Sequence, residues 1–335
     1  MVMNKKSVAV VMGGYSDEYV VSLKSGQLIY DSLDRNLYDI YKVVVLKDEW
    51  YFLGENDKKY AINRGDFSVT LDNGETLKFD VCFNIIHGTP GENGILQAYW
   101  DAIGQKYTGC DFYQSALTFN KKDTLAVLSK YGIPSAKSIY LRKGEDINVD
   151  EIVSELNLPL FVKPNQSGSS LGISKVKEKS ELIAATEIAF KEDNEILIES
   201  FLDGMEVSVG VIDYKGETIV LGITEIVPTN EFFDYEAKYE GASEEITPAR
   251  ISQETEKLVI ETAKKVYDSL GMTGFSRTDF IIMNDIPYFI EMNTNPGLSP
   301  QSIFPQQAAY AQISFSDLLD NEINLALQRK PIWKR

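Results

Sequence analysis

The sequence predicts a multidomain α/β protein, with a wound parallel sheet at the N-terminus and antiparallel strands towards the C-terminus. Three observations predict it. Short apolar runs alternate with helix-length segments through the first third of the chain. Two long strand-like runs, Glu206 to Asp213 and Thr218 to Val227, and a later hairpin within Gly274 to Asn293 follow in the second half of the chain. The 335 residues also exceed what one core usually organises, so two or three domains are expected.

Ser7 to Met12 is an apolar run short enough for a buried strand, and Gly13-Gly14 breaks it. A helix follows from about Val21 to Leu33. Tyr41 to Leu46 and Val81 to Ile86 read as strands, and Gly94 to Ile103 as a second helix. Such alternation implies parallel pairing. Asn120 is a good N-cap for a helix that Gly132-Ile133-Pro134 stops. Leu160 to Lys163 is a strand, separated by the loop PNQSGSSLG from another that runs through Val176. Ser180 to Phe190 reads as a helix, and Glu195 to Ser200, Glu206 to Asp213 and Thr218 to Val227 as strands. Pro228 to Pro248 is aromatic and acidic without clean periodicity, and loops of that length are usually functional or disordered. Glu254 to Leu270 is an amphipathic helix with Val259, Ala263, Val266 and Tyr267 on one side and Gly271 as its stop. Thr294 to Pro305 is rich in turn residues, and a last helix spans about Phe315 to Gln328.

Gly274 to Asn293 reads as a hairpin around Asn284-Asp285. A loop with an odd number of residues would set Asp279 opposite Glu291. One face would then carry Arg277, Asp279, Glu291 and Asn293, and the other Phe280, Ile282, Tyr288, Ile290 and Met292. A slip of one residue would mix these sets. An arginine, two carboxylates and an amide on one face form a hard-cation site with a positive neighbour, which suits magnesium and phosphate chemistry.

Composition narrows the function classes. The chain is 44% hydrophobic and 25% charged, with a formal net charge of -17. That balance disfavours coating nucleic acid or an anionic membrane, yet permits an anionic nucleotide in a locally basic cleft. Cys82 and Cys110 are the only cysteines and His87 the only histidine. A disulfide framework and a multi-histidine or cysteine-rich metal site are thereby excluded, and a reducing, cytoplasmic location is expected. The apolar run Val8 to Met12 is too short for a signal peptide, and no segment approaches membrane-spanning length.

Two glycine-rich stretches invite familiar readings. HGTPGENG, His87 to Gly94, lies between a strand and a helix, where backbone amides can approach an anion. Its glycine spacing differs from the dinucleotide fingerprint, and no acidic residue completes a ribose clamp. Gly168-Ser169-Ser170-Leu171-Gly172 matches the serine-hydrolase elbow, but the following Ile-Ser-Lys-Val reads as a strand and the histidine precedes Ser170. Small residues, hydroxyls and free amides fit a phosphate cover better. Lysine is ordinarily a solvated surface residue. Lys163, however, directly follows Leu160-Phe161-Val162, and Lys121 opens a helix. Glu199 and Glu206 flank Phe201-Leu202 where two strands meet.

Taken in order, GGYSDEYVVS (Gly13 to Ser22), HGTPGENG, LFVKPNQSGSSLG (Leu160 to Gly172), FDYEAKY (Phe233 to Tyr239), GFSRTDF (Gly274 to Phe280) and EMNTNPGLSPQS (Glu291 to Ser302) resemble the ATP-grasp superfamily, and within it the D-alanine–D-alanine ligases. Six motifs in the family's order are specific where each alone is weak, and they span essentially the whole chain. The resemblance implies an N-terminal substrate-binding domain over residues 1–109. A two-lobed ATP-grasp module would follow, over 110–200 and 201–335. It implies ATP-dependent joining of two D-alanines through an acyl phosphate for peptidoglycan precursors. The partners implied are D-alanine and ATP, without nucleic acid or membrane, in a homodimer.

The resemblance also assigns roles. Glu18 would hold the ammonium of the first D-alanine, with His87 near its carboxylate, and Ser169 and Tyr239 would join Glu18 in a hydrogen-bonded set. Lys121, Lys163 and, on the long loop, Lys238 would meet the phosphates. Glu199, Phe201 and Leu202 would line the adenine, and Glu206 the ribose. Asp279, Glu291 and Asn293 would hold two magnesium ions, with manganese as a possible substitute. Arg277 and the Gly297 amide would form the oxyanion hole, and Ser302 would grip the second carboxylate. The chain departs from the pattern at Tyr19, Val20 and Asn93, and Tyr239 points towards dipeptide rather than depsipeptide formation.

Overall fold

The computed structural model describes residues 5–168, 171–228, 243–299 and 301–330. The first sheet holds β1 (Lys6–Gly13), β2 (Tyr38–Val45), β3 (Trp50–Leu53), β4 (Lys59–Asn63), β5 (Ser68–Thr70), β6 (Thr76–Leu77) and β7 (Val81–Asn84). Their order is β6-β5-β4-β3-β2-β1-β7. The predicted parallel winding is its centre, because β1 runs parallel to both β2 and β7. Antiparallel strands β3 to β6, too short to read from the sequence, extend it. From Val8 to Met12 β1 is apolar and buried, because both faces are covered there. Val8, Val10 and Met12 enter one core, with Ile29 of helix α1 (Tyr19–Ser32). Ala9 and Val11 enter another, with Leu96 and Trp100 of α2 (Ile95–Ile103).

Helices α3 (Phe112–Phe119) and α4 (Lys121–Ser129) lead to the second sheet. That sheet contains β8 (Ser138–Arg142), β9 (Leu160–Pro164), β10 (Ser174–Val176) and β11 (Glu195–Ser200) in the order β10-β9-β11-β8, backed by α5 (Val149–Leu156) and α6 (Leu182–Glu192). The third sheet contains β12 (Met205–Tyr214), β13 (Glu217–Pro228), β14 (Ser243–Ile246), β15 (Ser276–Met283) and β16 (Ile286–Asn293), ordered β14-β13-β12-β15-β16. Helix α7 (Gln253–Ser269) covers its apolar face through Val259, Ala263 and Val266, joined by Leu125 and Leu128 of α4. Helices α8 (Ile303–Tyr310) and α9 (Phe315–Gln328) return the chain to the first sheet. Helix α8 begins inside the stretch read as turns, because Pro305 falls in its first turn, where a missing N–H is harmless. No helix among the described residues is long and apolar enough to cross a membrane.

The hairpin reaches the expected pairing by a different route. Asp279 does lie opposite Glu291, and Arg277 opposite Asn293. The loop is not odd, however. It is the two-residue Asn284-Asp285 turn, with φ of 51° and 64°, as a tight hairpin requires. A bulge between Asp279 and Phe280 supplies the odd residue, Ile290. Beyond it the parity of β16 changes. Phe289, not Tyr288, packs on Phe280 with ring centroids 6.2 Å apart. Ile290 leaves the core side and lines a cavity beside Glu291.

Candidate active site

Between the second and third sheets lies a cavity of about 430 Å³. Lys163 and Phe161 reach it from β9, Glu199 from β11, and Ile281 and Ile290 from the hairpin. Phe161 and Phe201 are 6.0 Å apart and form one apolar wall. Lys163 is 5% exposed, and its Nζ lies 2.6 Å from Glu199 Oε2. Lys121, fixed in the first turn of α4 by the Asn120 cap, donates Nζ to Ser167 O at 2.9 Å and lies 3.2 Å from Glu291 Oε2. Buried ammonium groups of this kind need an anion beside them. A polyphosphate is an anion that can take both lysines from their carboxylates.

A second cavity of about 480 Å³ adjoins the first, and Glu206, Ile226, Ile290 and Glu291 line both. Its far end is built from loops of the first sheet. Ser22 of α1 accepts from Gly13 N at 2.9 Å and donates to Ile85 O at 2.7 Å, which ties the start of α1 to the ends of β1 and β7. Glu18 is thereby set against Gly88 and Gly168, where a Cβ would stand 3.2 and 3.1 Å from its Oε2. His87 donates Nδ1–H to Asn295 O at 3.0 Å, leaving Nε2 as the bare nitrogen of a neutral ring. Burial holds the His87 pKa below its usual range, partly opposed by Glu18. Glu92 accepts from Gly88 N at 2.6 Å and Asn295 N at 3.2 Å. Burial, reinforced by the charge of Glu18, still pushes its carboxyl up to about 8.

The hairpin supplies the charged centre. Arg277 donates Nε and Nη2 to the two oxygens of Asp279, at 3.0 and 2.9 Å. Asp279 also accepts from Ser208 Oγ at 2.5 Å and Asn293 Nδ2 at 3.2 Å. Burial opposes the charge on Arg277, but Asp279 and Glu291 outweigh it and raise the guanidinium above its ordinary value. Asp279, Glu291 and Asn293 offer oxygens only, a donor set that fits magnesium. Among the described residues no third carboxylate, histidine or cysteine joins the two carboxylates. Gly297 lies against Ser302, where a Cβ would meet Oγ at 2.9 Å.

Every sequence-predicted site residue within the described stretches lines one or both cavities. Lys121, Lys163, Glu199, Phe201 and Leu202 belong to the first. Glu18, His87, Arg277, Asp279, Asn293, Gly297 and Ser302 belong to the second. Ser169, Ser170, Lys238 and Tyr239 lie outside the described residues. The segment after Gly172 enters strand β10, which removes the strand-to-helix context of the hydrolase elbow. Sequence reasoning passed over Glu92, Asn295 and Ser208. The first two sit inside quoted motifs, and Ser208 follows from parity along β12, two residues after Glu206.

Two family models match the chain: D-ala D-ala ligase N-terminus over residues 7–110 and D-ala D-ala ligase C-terminus over 127–324. A D-alanine--D-alanine ligase of Flavobacterium psychrophilum is 67% identical over 329 residues, covering 98% of the chain and 100% of the relative. Among solved structures, the VanG D-Ala:D-Ser ligase of Enterococcus faecalis superposes with a TM-score of 0.86 at 34% identity, covering 96% of the chain and 100% of that protein. The D-alanine--D-alanine ligase of Bacillus anthracis complexed with ATP gives 0.77 at 28% identity, covering 96% and 98%.

Proposed function

The chain belongs to the D-alanine–D-alanine ligase family. From that premise we propose that it joins two D-alanine molecules into D-alanyl-D-alanine, using ATP and an acyl-phosphate intermediate, for peptidoglycan precursor synthesis. One observation carries the reading: a lysine-bearing, apolar-walled cavity adjoins a Glu-His-Arg cavity, and Glu206 and Glu291 line both. A nucleotide in the first would present its terminal phosphate to a carboxylate in the second.

A carboxylate is a poor electrophile. Transfer of the terminal phosphoryl group of ATP to one oxygen of the first D-alanine makes an acyl phosphate and releases ADP. The amine of the second D-alanine then attacks the acyl carbon, and phosphate leaves with the oxygen it shares. In this reading Lys121 and Lys163 exchange Glu291 and Glu199 for phosphate oxygens. Phe161, Phe201 and Leu202 enclose the adenine, and Glu206 takes the ribose. Glu18 holds the first ammonium, and His87 lies near the matching carboxylate. Arg277 and Gly297 N point donors at the tetrahedral oxyanion, and Ser302 grips the second carboxylate. Lys238, Ser169 and Tyr239 take the family's phosphate and hydrogen-bonding roles. Asp279, Glu291 and Asn293 would hold two magnesium ions, whose charge offsets that of the phosphates when they are bound. We also propose the division at 1–109, 110–200 and 201–335, a homodimer and a cytoplasmic location.

The test is ADP release from purified protein with D-alanine, followed by mass spectrometry of products formed with D-alanine, D-serine and D-lactate in competition. D-Alanine-dependent ADP release with D-alanyl-D-alanine as the main product is expected. The VanG likeness gives the second reading its weight, and a preponderance of D-alanyl-D-serine would establish that reading instead. ADP release indifferent to D-alanine would overturn both.

A further inference from the structure

Helix α8 starts at the Ser302 N-cap and reaches the third sheet through a polar side chain, Gln307, which is fully buried. Its Nε2 donates to Ser208 O at 2.8 Å on β12 and to Thr224 Oγ1 at 2.9 Å on β13. Thr224 Oγ1 also lies 2.6 Å from Thr247 Oγ1, so its hydroxyl can accept from Gln307 and donate onward. The amide fits because Gly210 and Gly222, paired across the two strands, leave a notch. A Cβ on Gly210 would stand 2.5 Å from Gln307 Oε1, and one on Gly222 3.5 Å from its Cγ. Glu206, Ser208 and Gly210 share one face of β12. Across the next strand Ser208 pairs with Asp279, to which it donates Oγ, and Gly210 pairs with Arg277. Gln307 therefore lands on the face of the sheet that carries the charged centre.

Apolar contact also holds α8. Phe304 and Ala308 join the core that includes Ile212 and Leu221 of the same sheet, and Phe304 lies 5.1 Å from the Phe275 ring. Such packing is non-directional: it sets the depth of a helix more firmly than its rotation or its position along the axis. A donor shared between acceptors on two neighbouring strands is directional and fixes both. Ser302 lies five residues before Gln307, about 7.5 Å along a helix axis. A turn or slide of α8 is therefore delivered to Ser302. It also reaches Ser299, whose Oγ lies 2.8 Å from Ser302 Oγ.

We propose that Gln307 is a positioning residue for the second amino acid: it pins α8 to β12 and β13 and thereby sets Ser302 against the charged centre. The inference rests on the assignment of Ser302 to the second carboxylate. ADP release is measured against ATP and against D-alanine, resolving the two D-alanine constants, in Gln307→Met, Ser302→Ala and the double variant. Gln307→Met fills the notch without a donor. It raises the KM for the second D-alanine about tenfold and leaves those for the first D-alanine and ATP within about twofold. A side chain that only stabilised the fold would lower the thermal midpoint without singling out one constant. In the double variant the second KM equals that of Ser302→Ala alone, because the contact through which Gln307 acts is already gone. Should Gln307→Met not fold, Thr224→Val removes one of the two acceptors and gives the same pattern at about threefold. An unchanged second KM in these variants overturns the proposal. So do three constants rising together, or single effects that multiply in the double variant. A second KM unchanged in Ser302→Ala overturns the Ser302 assignment itself, and the proposal falls with it.

Discussion

Arg277 and Asp279 are two residues apart on one strand, so their side chains share a face, and two hydrogen bonds of 3.0 and 2.9 Å lock the guanidinium fork. A lysine keeps the charge and loses the fork. Arg277→Lys is therefore expected to lower kcat by about 10²–10³-fold, the usual effect of losing one oxyanion donor. The KM for ATP should change far less, and steady-state ADP release measures both. Glu92 yields a prediction in pH. Its carboxyl is raised from 4.5 to about 8, mainly by burial. A group raised in this way lends its full stability below its unfolded pKa and loses it as pH climbs through the folded one. Glu92→Gln cannot ionise. Its midpoint relative to wild type should therefore rise steadily from about pH 5 to about pH 8.5. A gap that stays constant across that window would mean that Glu92 ionises freely in the folded protein.

Helix termini aim several of these side chains. Asn120 accepts from Asp123 N at 3.0 Å and starts α4 at Lys121, while Ser252 accepts from Thr255 N at 3.1 Å and starts α7 far from either cavity. Asn120→Ala and Ser252→Ala should each cost about 1 kcal/mol, read as a drop in thermal midpoint. Only Asn120→Ala should also raise the KM for ATP, because Lys121 alone of the two following side chains reaches the phosphate side. Elements with clear periodicity or caps were legible in the sequence: α4, α7, α9 and the hairpin strands. Those missed are short or half exposed. β8 is a solvent-facing edge strand of five residues, β5 and β6 have three and two, and α5 has eight. Such segments draw their stability from neighbours, which a local pattern does not record. The polar face of the hairpin was readable because parity sorts residues two by two. The bulge was not, because Ile290 is as apolar as the core residues it leaves.

At the scale of the molecule, the C-terminal helix completes the N-terminal domain. Leu318, Leu319 and Ile323 of α9 pack in one core with Val8 and Val10 of β1, Val81 and Phe83 of β7 and, from the third sheet, Ile212 and Leu221. The proposed catalytic geometry depends on this closure. Glu18 and His87 project from the first sheet, Arg277 and Asp279 from the third, and the second cavity exists only while the two are held together. No motif advertised that tie, since apolar helical residues have no address until the fold supplies one. It does make a test possible with two of the three native tryptophans, in a Trp333→Phe background where Trp50 and Trp100 alone report. Trp50 and Trp100 both pack around the opposite core of the first sheet, beside Phe67, a core to which α9 contributes no residue. If the first and third sheets unfold as one unit, a cavity cut in α9 must be felt at those indoles. Leu319→Ala should cost about 2–5 kcal/mol, and tryptophan fluorescence and far-ultraviolet circular dichroism should shift to lower denaturant together. A tryptophan transition left at its wild-type midpoint while the helical signal moves would show that the N-terminal sheet folds without its C-terminal helix.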